Sequence, residues 1–177
     1  MQKSKNEELG RISPEEYKAS DKMPIVVVLD NIRSMNNIGS AFRTSDAFLV
    51  EKIILTGITA QPPHREINKT ALGATDSVPW QYFASVSDAI VFLQKENYHI
   101  LAIEQAHEST LLHEFIPAKE QKYAVIFGNE VKGVSDEVMQ VADGCLEIPQ
   151  LGTKHSLNIS VSIGVVLWDL SSKLGLF

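Results

Sequence analysis

The sequence predicts an α/β domain with a mainly parallel sheet flanked by helices. Three observations carry that reading. Five short apolar runs, at residues 23–29, 52–55, 99–103, 124–127 and 145–148, are spread along the chain. Segments with helical periodicity separate several of them, as strand–helix alternation requires. Each run breaks off into a loop rich in Asn, Asp, Gly or Pro, the turn-forming residues.

The first 22 residues are polar, with Ser13-Pro14-Glu15-Glu16 as a helix-start signal: Ser13 caps and Pro14 sits in the first turn. They are expected to form a solvated terminal helix or arm, leaving residues 23–177 as one domain. Residues 23–29 hold three valines without alternation and read as a strand buried on both faces. The polar loop that follows ends at Asn37, read as the cap of a helix from Ile38. Residues 52–55 form the next strand. Residues 59–80 are expected to be long and irregular, with one helical turn near Lys69. Residues 85–96 are an amphipathic helix opened by Ser85 and Asp88 as a capping box. Strands at 99–103 and 124–127 follow, then a helix at 135–141 capped by Ser135, then a strand at 145–148. The last helix is placed at 156–170. Its apolar residues fall on two faces, with Leu157, Val161, Val165 and Trp168 on one and Ile159, Ile163, Val166 and Leu170 on the other. A helix apolar on both sides needs partners on both sides, so the sheet is expected to cover one and a second subunit the other.

Composition narrows the function. Of 177 residues, 44% are hydrophobic and 21% charged, ordinary for a globular protein of one domain. No apolar run approaches the roughly 20 residues that span a bilayer, and the N-terminus does not resemble a secretion signal. The lone Cys145 sits within an apolar run and reads as a small buried hydrophobe, so the expected compartment is cytoplasmic. The net charge of −6 argues against a nucleic-acid partner, but its distribution softens the argument. Residues 30–70 carry five basic side chains (Arg33, Arg43, Lys52, Arg65, Lys69) against four acidic ones, while residues 71–177 carry the excess of acid. GxGxxG, GxxxxGK[ST], CxxC, HExxH and GxSxG are all missing, which removes the common dinucleotide, P-loop, zinc and serine-hydrolase readings. No metal is expected.

Three motifs remain, all at or just after predicted strand ends. They are Asn37-Ile38-Gly39-Ser40-Ala41-Phe42-Arg43, Phe127-Gly128-Asn129-Glu130-Val131-Lys132-Gly133, and Ile148-Pro149-Gln150-Leu151-Gly152 followed by Ser156-Leu157-Asn158-Ile159-Ser160-Val161-Ser162. In this order and spacing they resemble the SpoU-type (TrmH-like) RNA 2′-O-ribose methyltransferases of the SPOUT class, over roughly residues 23–170. Lys69–Ala74 and Val78-Pro79-Trp80 look like the same family. The resemblance implies an α/β fold ending in a deep trefoil knot, S-adenosylmethionine held by the knot's loops, a homodimer with each site near the subunit boundary, and methyl transfer to a ribose 2′-hydroxyl of tRNA or rRNA. The other class of function is an RNA-binding or assembly module that keeps the fold without catalysis.

Carried over by motif, the candidate catalytic residues are Arg43, Glu130, Ser156, Asn158 and Asn37. Cofactor contacts are Gly128, Ile148, Gly152 and Leu157 by motif, and Ile103 and Glu104 from a strand end without one. RNA contacts are Arg33, Arg43, His64, Arg65 and Lys154. A guanidinium stays protonated in proteins, so Arg43 is read as a clamp on phosphate and on the developing 2′-oxyanion rather than as a base, with a strongly lowered pKa as the rival account. Asn37 either holds Arg43 or the substrate backbone, or is only a helix cap. Glu130 either pairs with Arg43, within one chain or across a dimer, or is a solvated loop carboxylate. Ser156 and Asn158 open the last helix, where N–H groups favour anions.

Overall fold

A computed structural model of the protein describes residues 3–5, 8 and 10–176. In chain order the elements are α1 (Pro14–Ala19), β1 (Met23–Asp30), α2 (Met35–Ala47), β2 (Val50–Thr56), α3 (Arg65–Ala71), α4 (Ala74–Ser77), β3 (Trp80–Phe83), α5 (Val86–Lys95), β4 (Tyr98–Ile103), β5 (Thr110–Leu111), β6 (Lys122–Phe127), α6 (Asp136–Met139), β7 (Gly144–Glu147) and α7 (Ile159–Leu174). Among the described residues one sheet of seven strands forms, in the order β3-β2-β1-β6-β4-β7-β5. Every pairing is parallel, from Val27 opposite Ile53 and Val125 to Ile103 opposite Phe127 and Leu146. All the strands therefore end on one edge, where open α/β sheets place their ligands.

Alternate residues of the central strands point to opposite faces. Ile25, Val27, Leu29, Ile53, Val125 and Phe127 pack against α2, α3 and α7 on one face. Val26, Val28, Ile54, Ile100 and Ile126 pack against α5 and α6 on the other. Burial on both faces is why these strands are continuous apolar runs.

The sheet is parallel and helix-flanked as expected, but several elements differ from the sequence reading. The strands β3 and β5 went unforeseen: both lie at sheet edges, pair on one side only and lack an apolar run. Residues 59–80 are ordered into α3 and α4 rather than irregular. The helix α2 begins at Met35 with Ser34 as its cap, the Ser34 hydroxyl accepting from Asn37 N–H at 3.3 Å. Asn37 is thus inside the first turn, with its side chain free for other partners. Ser135 precedes α6 without capping it, and its hydroxyl is buried without a partner. The final helix starts at Ile159, three residues late, because Asn158 rather than Ser156 caps it by accepting from Ser160 N–H at 2.8 Å. α1 is capped by Ser13 as expected, and Glu16 completes a capping box with it. It is docked rather than free: Tyr17 is buried and its hydroxyl donates to Val50 O at 3.0 Å. At the start of β4, the Tyr98 hydroxyl donates to Glu51 at 2.5 Å.

The helix α7 divides as its sequence pattern foretold. Ile163, Val166 and Leu170 are fully buried, whereas Val161, Val165 and Trp168 are 50, 38 and 59% exposed. Against its neighbour α2, Trp168 meets Phe48 edge to face at 6.4 Å.

Candidate active site

At the carboxyl edge of the sheet, the ends of β4, β6 and β7 and the approach to α7 enclose a cleft of about 560 Å³. Its first wall is the loop 128–134 after β6. Gly128 lies so close to Gly133 and Val134 that a Cβ would land on their backbone. Gly133 has φ +72°, and a Cβ there would land on the Glu104 carboxylate. Asn129 ties the loop together: its Oδ1 accepts from Val131 N–H and Lys132 N–H at 3.0 and 3.1 Å. Its Nδ2 donates to Asn31 O at 2.7 Å, joining the loop to the end of β1.

The second wall is the end of β4. Both Glu104 oxygens are engaged, accepting from Gln105 N–H at 2.8 Å and from Val134 N–H at 2.9 Å. Glu104 thus anchors the far end of loop 128–134. Behind it, the half-buried Cys145 thiol donates to Glu104 O at 3.4 Å, and burial pushes that thiol's pKa up. The third wall is Ile148 after β7, then Gln150, the exposed stretch His155–Asn158 and the buried Ile159, all lining the cleft.

One hydrogen-bonded chain joins residues of all three motifs. The Glu130 carboxylate accepts from Arg33 N–H and Ser34 N–H, each at 3.0 Å, and from Asn37 Nδ2 at 3.1 Å. The Asn37 Oδ1 in turn accepts from Asn158 Nδ2 at 3.3 Å. Burial alone would raise the pKa of Glu130, but these donors outweigh it and hold the carboxyl below its ordinary value. Glu130 therefore stays charged and pins the N-terminus of α2 to the loop after β6, while Asn158 pins it to the start of α7.

The remaining candidates separate. Ile103, Glu104, Gly128, Glu130, Ile148, Ser156, Leu157 and Asn158 line the cleft, and Asn37 stands behind Glu130. Gly152 and Lys154 are exposed outside it. Arg43 is exposed on α2, six residues past Asn37, which is about 9 Å along the helix and on a different face. It does not line the cleft, and among the described residues it enters no ion pair, with Asp30, Asp46 or Glu130. The expected contact between Arg43 and Glu130 is thus absent within the chain; Glu130 is occupied by amides instead. Arg33 and Arg65 are exposed, and His64 caps α3 by accepting from Glu66 N–H at 3.2 Å. Sequence reasoning passed over Asn129, Lys132 and Gln105. The signal available for Asn129 was its place after a glycine at a strand end, where side chains of this type hold turns.

The model of the SpoU rRNA Methylase family matches residues 24–168. The chain belongs to this family. Among its relatives, the 23S rRNA (guanosine-2′-O-)-methyltransferase of Neisseria meningitidis is 30% identical over 144 residues, covering 81% of this chain and 56% of that protein. The tRNA (guanosine(18)-2′-O)-methyltransferase of Thermus thermophilus is 30% identical over 145 residues, covering 82% of this chain and 73% of that protein. A crystal structure of an AdoMet-bound rRNA methyltransferase from Sinorhizobium meliloti superposes with TM-score 0.79 at 27% identity, over 92% of this chain and 61% of that one. The chain spans a little over half the length of the Neisseria SpoU relative. Among the described residues, no helix is long and apolar enough to cross a membrane, and no His, Cys, Asp and Glu cluster is arranged to hold a metal.

Proposed function

We propose that this SpoU-family chain transfers a methyl group from S-adenosylmethionine to a ribose 2′-hydroxyl of tRNA or rRNA. The observation that carries the reading is the Glu130–Asn37–Asn158 chain, which joins three motifs distant in sequence around one cleft. The cleft fits the cofactor chemically. Ile103, Ile148 and Leu157 form an apolar slot for a purine, and backbone groups at three strand ends supply donors and acceptors. When bound, the cofactor supplies an electrophilic methyl group. The chain's part is placement: the Gly128–Gly133 loop, held by Glu104 and Glu130, shapes the wall, and Ser156 and Asn158 stand at the mouth, where the ribose enters. Positioning of this kind accounts for much of the acceleration available to such a transfer.

Arg43 enters the reaction from a second copy of the chain. The exposed apolar stripe Leu157, Val161, Val165 and Trp168 runs along α7 from the cleft, since Leu157 lines that cleft itself. A homodimer closed over this stripe brings the partner's α2 to the cleft mouth. There the guanidinium holds phosphate and steadies the 2′-oxyanion, while the proton leaves to phosphate or water. The trefoil knot is part of the same proposal. It is supported by β7 lying between β4 and the earlier β5 before the chain returns through 149–158 into α7. Both methyltransferase relatives named above act on guanosine ribose by name, which supports the ribose assignment here.

The test is methyl transfer from labelled cofactor into RNA, read as alkali-resistant dinucleotides. Arg43→Ala is expected to lower kcat by about 10²–10³-fold, as loss of an oxyanion-stabilising donor does elsewhere, with cofactor affinity by calorimetry unchanged. Label on a base overturns the ribose assignment, and absence of cofactor binding with RNA binding retained supports the non-catalytic module.

A further inference from the structure

A second concavity, of about 400 Å³, lies away from the cleft, between α3, α4 and the start of β3. We infer that it receives an unstacked guanine of the substrate RNA, a base other than that of the methylated nucleotide. The inference rests on the RNA methyltransferase reading above and names how that enzyme selects its target.

The wall is flat and apolar where a ring would stack. Trp80 is half-buried, leaving part of its indole open, and Pro62 and Pro63 face the same space. Sequence-specific RNA recognition works largely by splaying a base out, stacking it on an aromatic side chain and reading its edge. The groups that would read the edge are Asn68 and Asp76, and Thr75 lines the same space. Among the described residues, no hydrogen bond within the chain engages the side chain of any of the three. Asp76 is an acceptor-only group with two oxygens. Guanine presents two adjacent donors, N1–H and the N2 amino group, to such a carboxylate. Adenine and cytosine each present one donor beside a ring nitrogen lone pair, and uracil one N–H between two carbonyls. The match is to guanine.

Charge and placement agree. Arg65 is exposed three residues before Asn68, on the same face of α3, and Lys69 follows at the next turn. They offer cations for the phosphates flanking a base seated there, in the one part of the chain where basic residues outnumber acidic ones. The pocket is also rigidly coupled to Arg43. Helix α3 crosses α2 at Gly39, where a Cβ would land on Thr70 and the Ile67 carbonyl, and Thr70 Oγ1 donates to Asn36 O at 3.0 Å. Arg43 lies one turn beyond Gly39. A base held against α3 therefore fixes the register of the strand that meets Arg43.

The chain has two tryptophans, so Trp168→Phe leaves Trp80 as the sole indole reporter and keeps an apolar ring at 168. Titrating that variant with GMP, AMP, CMP and UMP in saturating S-adenosylmethionine is expected to give saturable quenching, tightest for GMP by about tenfold. Adding Asp76→Asn is expected to erase the preference. In the otherwise native chain, Asp76→Asn, an exposed position that leaves folding intact, is expected to raise KM for the target RNA about tenfold. The kcat at saturating RNA and the cofactor affinity stay unmoved. No quenching, equal quenching by all four nucleotides, or an unchanged KM overturns the inference. If the native chain methylates no RNA, the enzyme reading fails, while the nucleotide titration still decides the pocket.

Discussion

Glu130 shows how one side chain can serve as a fastening. It is exposed, yet it takes two backbone N–H groups and an amide, so its charge is used locally. Its folded pKa lies below the ordinary value, so its contribution is complete above the unfolded pKa of about 4.3 and fades as pH falls through the folded value. Glu130 therefore stays ionised across neutral pH, and cofactor affinity measured by calorimetry is expected to be flat there and to drop only in acid, where Glu130 protonates. Glu130→Gln sets an amide donor against one of those N–H groups and is expected to weaken cofactor binding about fivefold, as for one hydrogen bond lost. Gly128→Ala acts through shape. The added methyl meets the backbone of Gly133 and Val134, with an expected loss of about 1–3 kcal/mol in thermal unfolding and weakened cofactor binding by calorimetry. At this scale the sequence was most legible where a motif names a residue and the chain alone supplies its partner. Gly128, Glu130, Ile148, Leu157 and Asn158 meet around one cleft. Arg43 does not line it, which is why the proposed function brings its guanidinium from a second copy.

Among the elements, α7 carries the clearest consequence. Its buried face belongs to the sheet, and its open face holds Val161 and Val165. Lysine at both positions leaves the core untouched and makes the open face polar. Under the proposed homodimer and RNA methyl transfer, the double variant Val161→Lys, Val165→Lys is expected to sediment as a monomer with native secondary structure and to lose most RNA methylation; a variant that dimerises like the native chain removes α7 as the seam. The two faces of α7 were readable because helical periodicity survives any context. Its start was not, because Ser156 and Asn158 are both good caps, and residues up to 157 stay outside the helix, lining the cleft at 155–157. Of the two readings left open for Asn37, the cap is removed by Ser34, and its side chain holds Glu130 rather than Arg43.

For the whole molecule, the parallel sheet was legible from its continuous apolar runs, and its strand order was not. Edge strands as short as Thr110–Leu111 carry too few residues to leave a pattern. The order β1-β6-β4-β7 depends on long-range pairing that no local stretch encodes. Two tyrosines that reach β2, Tyr17 from α1 and Tyr98 from β4, also give the fold an alkaline limit. Burial, reinforced by the charge of Asp46, raises the pKa of Tyr17, and burial with the bond to Glu51 raises that of Tyr98. Both phenols must stay protonated in the fold and are free to ionise once it opens. Their stabilisation is therefore intact below the ordinary tyrosine value of about 10 and drains away as base is added beyond it. Alkaline melts of the native chain should steepen there, and Tyr17→Phe, which has no proton to lose, should blunt the slope.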